Sequence, residues 1–219
     1  MEKGICVFCG KQAELTDDHI PPKSIYPKKI RSSLKNMNTE NSCFECNNGS
    51  KIEDELFKVF VGIVGMPMWR DLLKESKEKT LEKNLKLAKE IADNTKIHNE
   101  INEAGKSIEI RRTTLTDSQR NMVFEVVNKC AMAFYYKTYG RIMKLERTAS
   151  FVHPSGFYQH QIIEFEREAS KASWVSLNAG TCNYTFVPLK NSDIVFIINL
   201  YGNIEFYLLL RNLNFSSKA

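Results

Sequence analysis

Four of the six cysteines fall in the first 46 residues as two Cys-x-x-Cys pairs, Cys6 with Cys9 and Cys43 with Cys46. Four thiolates at that spacing make a closed tetrahedral site for structural Zn²⁺. A redox dithiol competes with this reading, but a thioredoxin-like motif needs a strand before it and a helix after it. Only five residues precede Cys6, and a second pair would be superfluous. The pairs bracket Asp17-Asp18-His19, and Asn47-Asn48-Gly49 follows the second pair directly. A carboxylate and an amide oxygen suit a hard divalent ion such as Mg²⁺ or Mn²⁺. A neutral histidine can take a proton near neutral pH. The first quarter of the chain therefore reads as a structural zinc site framing a second, reactive one.

Charge points the same way. The formal net charge of the 219 residues is +5, and residues 20–37 carry Lys23, Lys28, Lys29, Arg31 and Lys35 with no acid. That stretch equals the whole net charge, so the remainder is near neutral. A solvated basic loop and a loop contacting phosphates both fit this composition. With 42% hydrophobic and 26% charged residues the chain is of ordinary globular type. Neither a secretory leader nor an apolar run of membrane-spanning length stands out, so a cytoplasmic protein without a membrane partner is expected. In that compartment paired cysteines favour metal over disulfides. Cys130 and Cys182 are expected to be small core residues.

The elements that must hold these residues follow from periodicity and turn chemistry. An α+β fold is expected. Residues 1–64 form the metal module, and residues 65–219 run through helices to a mostly antiparallel sheet. Ser50 with Glu53 is a capping-box pattern opening a helix to Val64, with Ile52, Leu56, Val59, Phe60 and Ile63 as its apolar stripe. Gly65-Met66-Pro67 ends it. A second helical region spans 69–94, with Leu81, Leu85, Ala88 and Ala92 at helical spacing. Residues 107–113 alternate as a strand. Thr116 or Asp117 caps a core helix to Tyr139 whose face carries Met122, Val123, Val126, Val127, Cys130, Ala131 and Phe134. Strands are expected at 161–166, 174–177, 184–189, 194–201 and 204–210, with a tight turn at Tyr201-Gly202-Asn203.

At Cys6-x-x-Cys9, Asp18-His19, Asn38 and Cys43-x-x-Cys46-Asn47 the chain resembles the HNH endonucleases of the ββα-metal type, in their zinc-containing, treble-clef-like branch. The resemblance covers roughly residues 4–60. It implies that the cysteines staple two strands and a helix, that His19 is the general base, and that Asp18 and Asn47 hold one catalytic divalent ion. It assigns the middle Asn to Asn38, which would orient the histidine loop; Asn36 and Asn41 lie close by. A lysine near Lys51 often contacts DNA in the family, usually one residue earlier. The implied substrate is DNA, double-stranded rather than RNA, with the basic loop along its backbone.

Bland roles compete at several positions. Asp17 could be a turn residue or a spare ligand, and Asn48 a helix cap. Glu53, Asp54 and Glu55 favour the positive end of their helix. His98, His153 and His160 lie outside the motif as surface or packing residues. Adjacent strand residues face opposite sides, so Asp18 and His19 must sit at a strand end to serve one site. The rival reading is a non-catalytic zinc module binding nucleic acid or protein. A regulatory protein or a second copy of the chain is the partner expected at the C-terminal region.

Overall fold

The structure, a computed structural model, describes residues 2–32, 34, 37–65, 69–102, 105–144, 146–153, 167–189 and 193–211. It is a mixed α+β fold in which every strand pairing is antiparallel, as expected. Strands β1 (Lys3–Ile5), β2 (Gln12–His19) and β3 (Thr39–Cys43) form a small sheet in the order β1-β2-β3. The first cysteine pair occupies the turn between β1 and β2, where Gly10 takes φ +71° and its N–H donates to the Cys6 carbonyl at 2.9 Å. A side chain resists that left-handed backbone, which fits glycine there. The second pair spans the end of β3 and the short helix α1 (Phe44–Asn48).

Helix α2 (Lys51–Val64) follows, then α3 (Arg70–Lys83) and α4 (Leu85–Asp93). A hairpin of β4 (Thr95–Ile101) and β5 (Ser107–Thr113) leads to the long helix α5 (Asp117–Tyr139). The rest of the chain builds a five-stranded sheet from β6 (Glu146–His153), β7 (Val175–Leu177), β8 (Cys182–Pro188), β9 (Ile194–Leu200) and β10 (Ile204–Arg211), in the order β6-β10-β9-β8-β7. Among the described residues no helix is long and apolar enough to cross a membrane.

Helix α5 forms for the reasons its sequence advertises. Thr116 Oγ1 accepts from the Gln119 N–H at 3.2 Å while Gln119 Oε1 accepts from the Thr116 N–H at 3.1 Å, a complete capping box. Val123, Val126, Val127, Cys130, Ala131 and Phe134 are buried. Helices α2 and α5 lie on one face of the large sheet, where Phe57 and Phe124 meet Phe206 at 5.6 and 6.0 Å and Phe134 stacks on Tyr184 at 4.2 Å. Along β9, Phe196, Ile198 and Leu200 enter this core while Val195 and Ile197 enter a smaller one on the opposite face. The main buried cluster runs from Ile20 to Leu210, so it draws on both sides of position 64. Cys130 and Cys182 are buried in it as free thiols, as expected.

Several local expectations give way to tertiary packing. Ser50 stands at the N-cap of α2 but makes no side-chain cap; its hydroxyl accepts from Lys129 Nζ at 3.2 Å instead. Helix α2 packs against both α3 and α5, so its buried arc is Leu56, Phe57, Val59 and Val61, and Ile52 is 69% exposed. The region 69–94 is two helices because Asn84 interrupts it, its Oδ1 accepting from the Leu87 N–H at 3.1 Å. The restart moves burial to Leu87 and Ile91 and leaves Leu85 75% exposed. Asn47 and Asn48 are the last residues of α1 rather than a turn or cap, Asn48 donating back to the Phe44 carbonyl at 3.2 Å. Strands β4 and β6 add to the expected set. The expected strand at 161–166 and His160 lie outside the described residues. The Tyr201-Gly202 turn has positive φ at both residues (55° and 80°), the twist that a tight hairpin requires.

Candidate metal centre and the cleft beside it

The Sγ atoms of Cys6, Cys9, Cys43 and Cys46 all lie within 4.8 Å of one another. Cys9 and Cys43 are 3.9 Å apart, close to the edge of about 3.8 Å that a ZnS₄ tetrahedron with 2.3 Å bonds would have. The backbone favours the thiolate at Cys6, whereas burial and the neighbouring thiols push Cys46 up. Burial pushes the Cys6 thiol up, but amides of Cys43, Cys9 and Phe8 turned towards it outweigh that and bring it down to about 7. A thiol that ionises this readily is a good metal ligand. The four cysteines can therefore hold a metal ion such as zinc.

Asp18 and His19 close strand β2, opposite Glu40 and Thr39 of β3. The Ile20 N–H then donates to the Asn38 carbonyl at 3.0 Å, which extends the pairing past His19. The two neighbours face different surroundings. Asp18 is buried and its Oδ2 lies 2.6 Å from Lys129 Nζ of α5. Burial raises its pKa, opposed by Lys129 and His19. His19 is half-buried and lines a cleft of ≈ 470 Å³ with Lys23, Lys28, Arg31, Ser32, Leu34 and Met37. Burial and the Lys23 charge push its pKa below the ordinary histidine value, against the pull of Asp18 and Asp17. The neutral imidazole is therefore favoured at physiological pH.

The remaining candidates divide. Lys23, Lys28 and Arg31 are gathered beside His19, whereas Lys29 lines a neighbouring cleft. Lys35 and Asn36 lie outside the described residues, and Lys51 is exposed and lines neither cleft. Asn47 Nδ2 donates to Thr16 Oγ1 at 2.9 Å and to the Asp17 carbonyl at 3.3 Å, so its Oδ1 is the atom left to accept or ligate. Asn38 is buried; its Oδ1 accepts from Lys137 Nζ, and its Nδ2 lacks a partner. The loop that carries the cations is held from the far end of the chain: Tyr201 donates to the Ile25 carbonyl at 2.9 Å, and Asn178 donates to Tyr26 Oη at 2.8 Å.

Sequence reasoning missed Lys129. Its Nζ reaches Asp18, the Cys46 carbonyl at 2.8 Å and Ser50, and sits 5.1 Å from the Phe8 ring centroid. One ammonium thus ties β2, both cysteine loops and the start of α2 to α5. Asp54 faces the same cluster. Burial pushes its carboxyl up to about 6 despite Lys129, and its Oδ1 has no partner. The available signal was a lysine set directly beside the core residues Val126, Val127 and Cys130. Replacing it with methionine strands Asp18 as a buried, uncompensated acid. Lys129→Met should cost about 3–5 kcal/mol of unfolding free energy. Adding Asp18→Asn should recover part of that loss in a double-mutant cycle followed by denaturant unfolding. Strict additivity would show that the pair contributes nothing.

No family model matches the chain, and no curated protein or solved structure matches it either.

Proposed function

We propose that the chain is a metal-dependent DNA endonuclease of the HNH, ββα-metal kind, with structural zinc on the four cysteines. The observation that carries this reading is His19. It is a histidine favoured as the neutral base, in a cleft whose other charged residues, Lys23, Lys28 and Arg31, are all cationic. A base beside converging cations is what hydrolysis of a phosphodiester asks for. The cations seat the phosphate, and the imidazole takes a proton from the attacking water.

Asp18 and Asn47 are the residues that would hold a catalytic Mg²⁺ or Mn²⁺. Carboxylate and amide oxygens are hard donors, and an ion held there would supply positive charge for the phosphate and the leaving oxygen, although neither residue lines the His19 cleft itself. Lys129 already balances much of the Asp18 charge, so affinity for the ion alone should be low and should rise with substrate. Asn38 acts through the backbone: its carbonyl fixes Ile20 and thereby the direction in which His19 leaves the strand.

The same Asp18–Lys129 pair favours a second reading, a zinc module that binds nucleic acid without cutting it, since the acid is satisfied without a further ion. The two readings separate on supercoiled plasmid. A zinc-loaded nuclease converts supercoiled plasmid to nicked or linear DNA when Mg²⁺ or Mn²⁺ is added, leaves it intact when both are withheld, and gains thermal stability from the ion in the presence of DNA. Binding without cleavage under every divalent ion tried leaves only the binder.

A further inference from the structure

A second cleft, of ≈ 650 Å³, lies on the other side of the basic loop, between that loop and helices α2 and α3. Its basic residues are Lys28, Lys29, Arg31, Lys58, Lys79 and Lys83, against Glu55, Glu75 and Glu82. Two of those acids are engaged. Glu75 pairs with Lys79 at 2.5 Å, and Glu55 accepts from Asn84 at 2.8 Å. Among the described residues neither Arg31 nor Lys58 forms an ion pair. Arg31 Nε is buried with no hydrogen-bond partner. Lys58 is half-buried, and its pKa is depressed first by that burial, then by Arg31, with Lys83 adding to the repulsion and only Glu55 opposing it.

Partly buried cations that converge in excess of the acids around them, here six against three, are costly. A phosphate would relieve that cost, accepting from a guanidinium and ammonium groups together. We infer that Arg31, Lys58 and Lys83 form a second phosphate seat, one that grips the backbone of a DNA duplex away from the bond beside His19. Continuity makes the ligand a polyanion rather than a lone phosphate, because Lys28 and Arg31 line both clefts. One strand passing over the loop would meet the two in succession. The identification of that polyanion as DNA rests on the nuclease reading, whereas the seat rests on the cleft.

The test is binding of a labelled DNA duplex by the zinc-loaded chain with no Mg²⁺ or Mn²⁺ added, read by anisotropy over a range of salt. Lys58→Gln should weaken binding roughly 3–10-fold and flatten the slope of log K against log salt by about 0.9, one phosphate contact. Arg31→Gln with Lys58→Gln should lose more on both measures, Lys58→Arg should restore affinity, and Lys96→Gln on the β4–β5 hairpin should bind like the parent. Because Lys58 is repelled where it stands, Lys58→Gln should melt no lower than the parent. An unchanged slope in the double variant overturns the seat, as does a lowered melting point with parental affinity. Lys58-dependent binding by a chain that cuts nothing with Mg²⁺ or Mn²⁺ refutes the nuclease reading and keeps the seat. Cleavage by a Lys58→Gln chain that binds like the parent does the reverse.

Discussion

His19→Ala is expected to lower DNA cleavage by at least about 10²–10⁴-fold, the range that general-base catalysis supplies, and to leave the fold and the zinc in place. Both halves follow from position. His19 ends β2 half-buried and makes no hydrogen bond among the described residues, so its removal costs little packing. No other histidine lines its cleft, so nothing takes over the proton. The pH profile supplies a sharper check. The active form is the neutral imidazole, so the rate should rise with pH as the imidazolium loses its proton. Burial and Lys23 both favour that loss, which puts the midpoint below 6.5, the ordinary histidine value. Lys23→Gln should move the midpoint up. Undiminished cleavage by His19→Ala, or a profile the Lys23 change leaves untouched, would remove His19 from the chemistry.

Cys43→Ser should have the largest structural effect. Cys43 ends β3, leads into α1 and is 4% exposed. The small sheet has three strands and little core of its own, so a metal ion on the four cysteines would supply much of its stability. Structural zinc contributes about 10–16 kcal/mol in zinc-finger peptides at neutral pH, far more than so small a sheet retains without it. The variant should lose its metal, measurable as a zinc stoichiometry falling from one per chain to none. Proteolysis should open residues 2–48 first, while α5 and the five-stranded sheet keep their protection from hydrogen exchange. A zinc-free Cys43→Ser chain that resists protease as the parent does would show that the cysteines are not a structural metal site.

What could be read from the amino acids alone was whatever depends on near neighbours. The cysteine pairs announce themselves by spacing, and Asp18-His19 by adjacency. Helix α5 is legible because its cap and its apolar period both lie within the segment. The expectation for α4 failed at Asn84, since one capping residue shifts the helical phase and the burial pattern with it. Ser50 and Glu53 look like a capping box, but Lys129, 79 residues away, takes the Ser50 hydroxyl. The neighbours of Lys129 marked it as close to the core, but its partners Asp18, Cys46 and Ser50 lie too far away in the sequence to be read. Lysines at 58 and 83 resemble their many neighbours on charged helices until the fold shows which of them face a cleft.

The hydrogen bonds from Tyr201 and Asn178 to the basic loop link residues 176 and 152 positions apart. A ribosome adding about 5–20 residues per second makes Ile25 and Tyr26 long before it makes the residues that hold them. Making Tyr201 takes roughly 9–35 s after Ile25, and for most of that time the nascent chain carries its cysteines and His19 without Asn178 and Tyr201 to anchor the loop beside them. The order of synthesis thus postpones assembly of the cleft until Tyr201 has been made, and a product truncated before Asn178 carries the motif without the means to aim it.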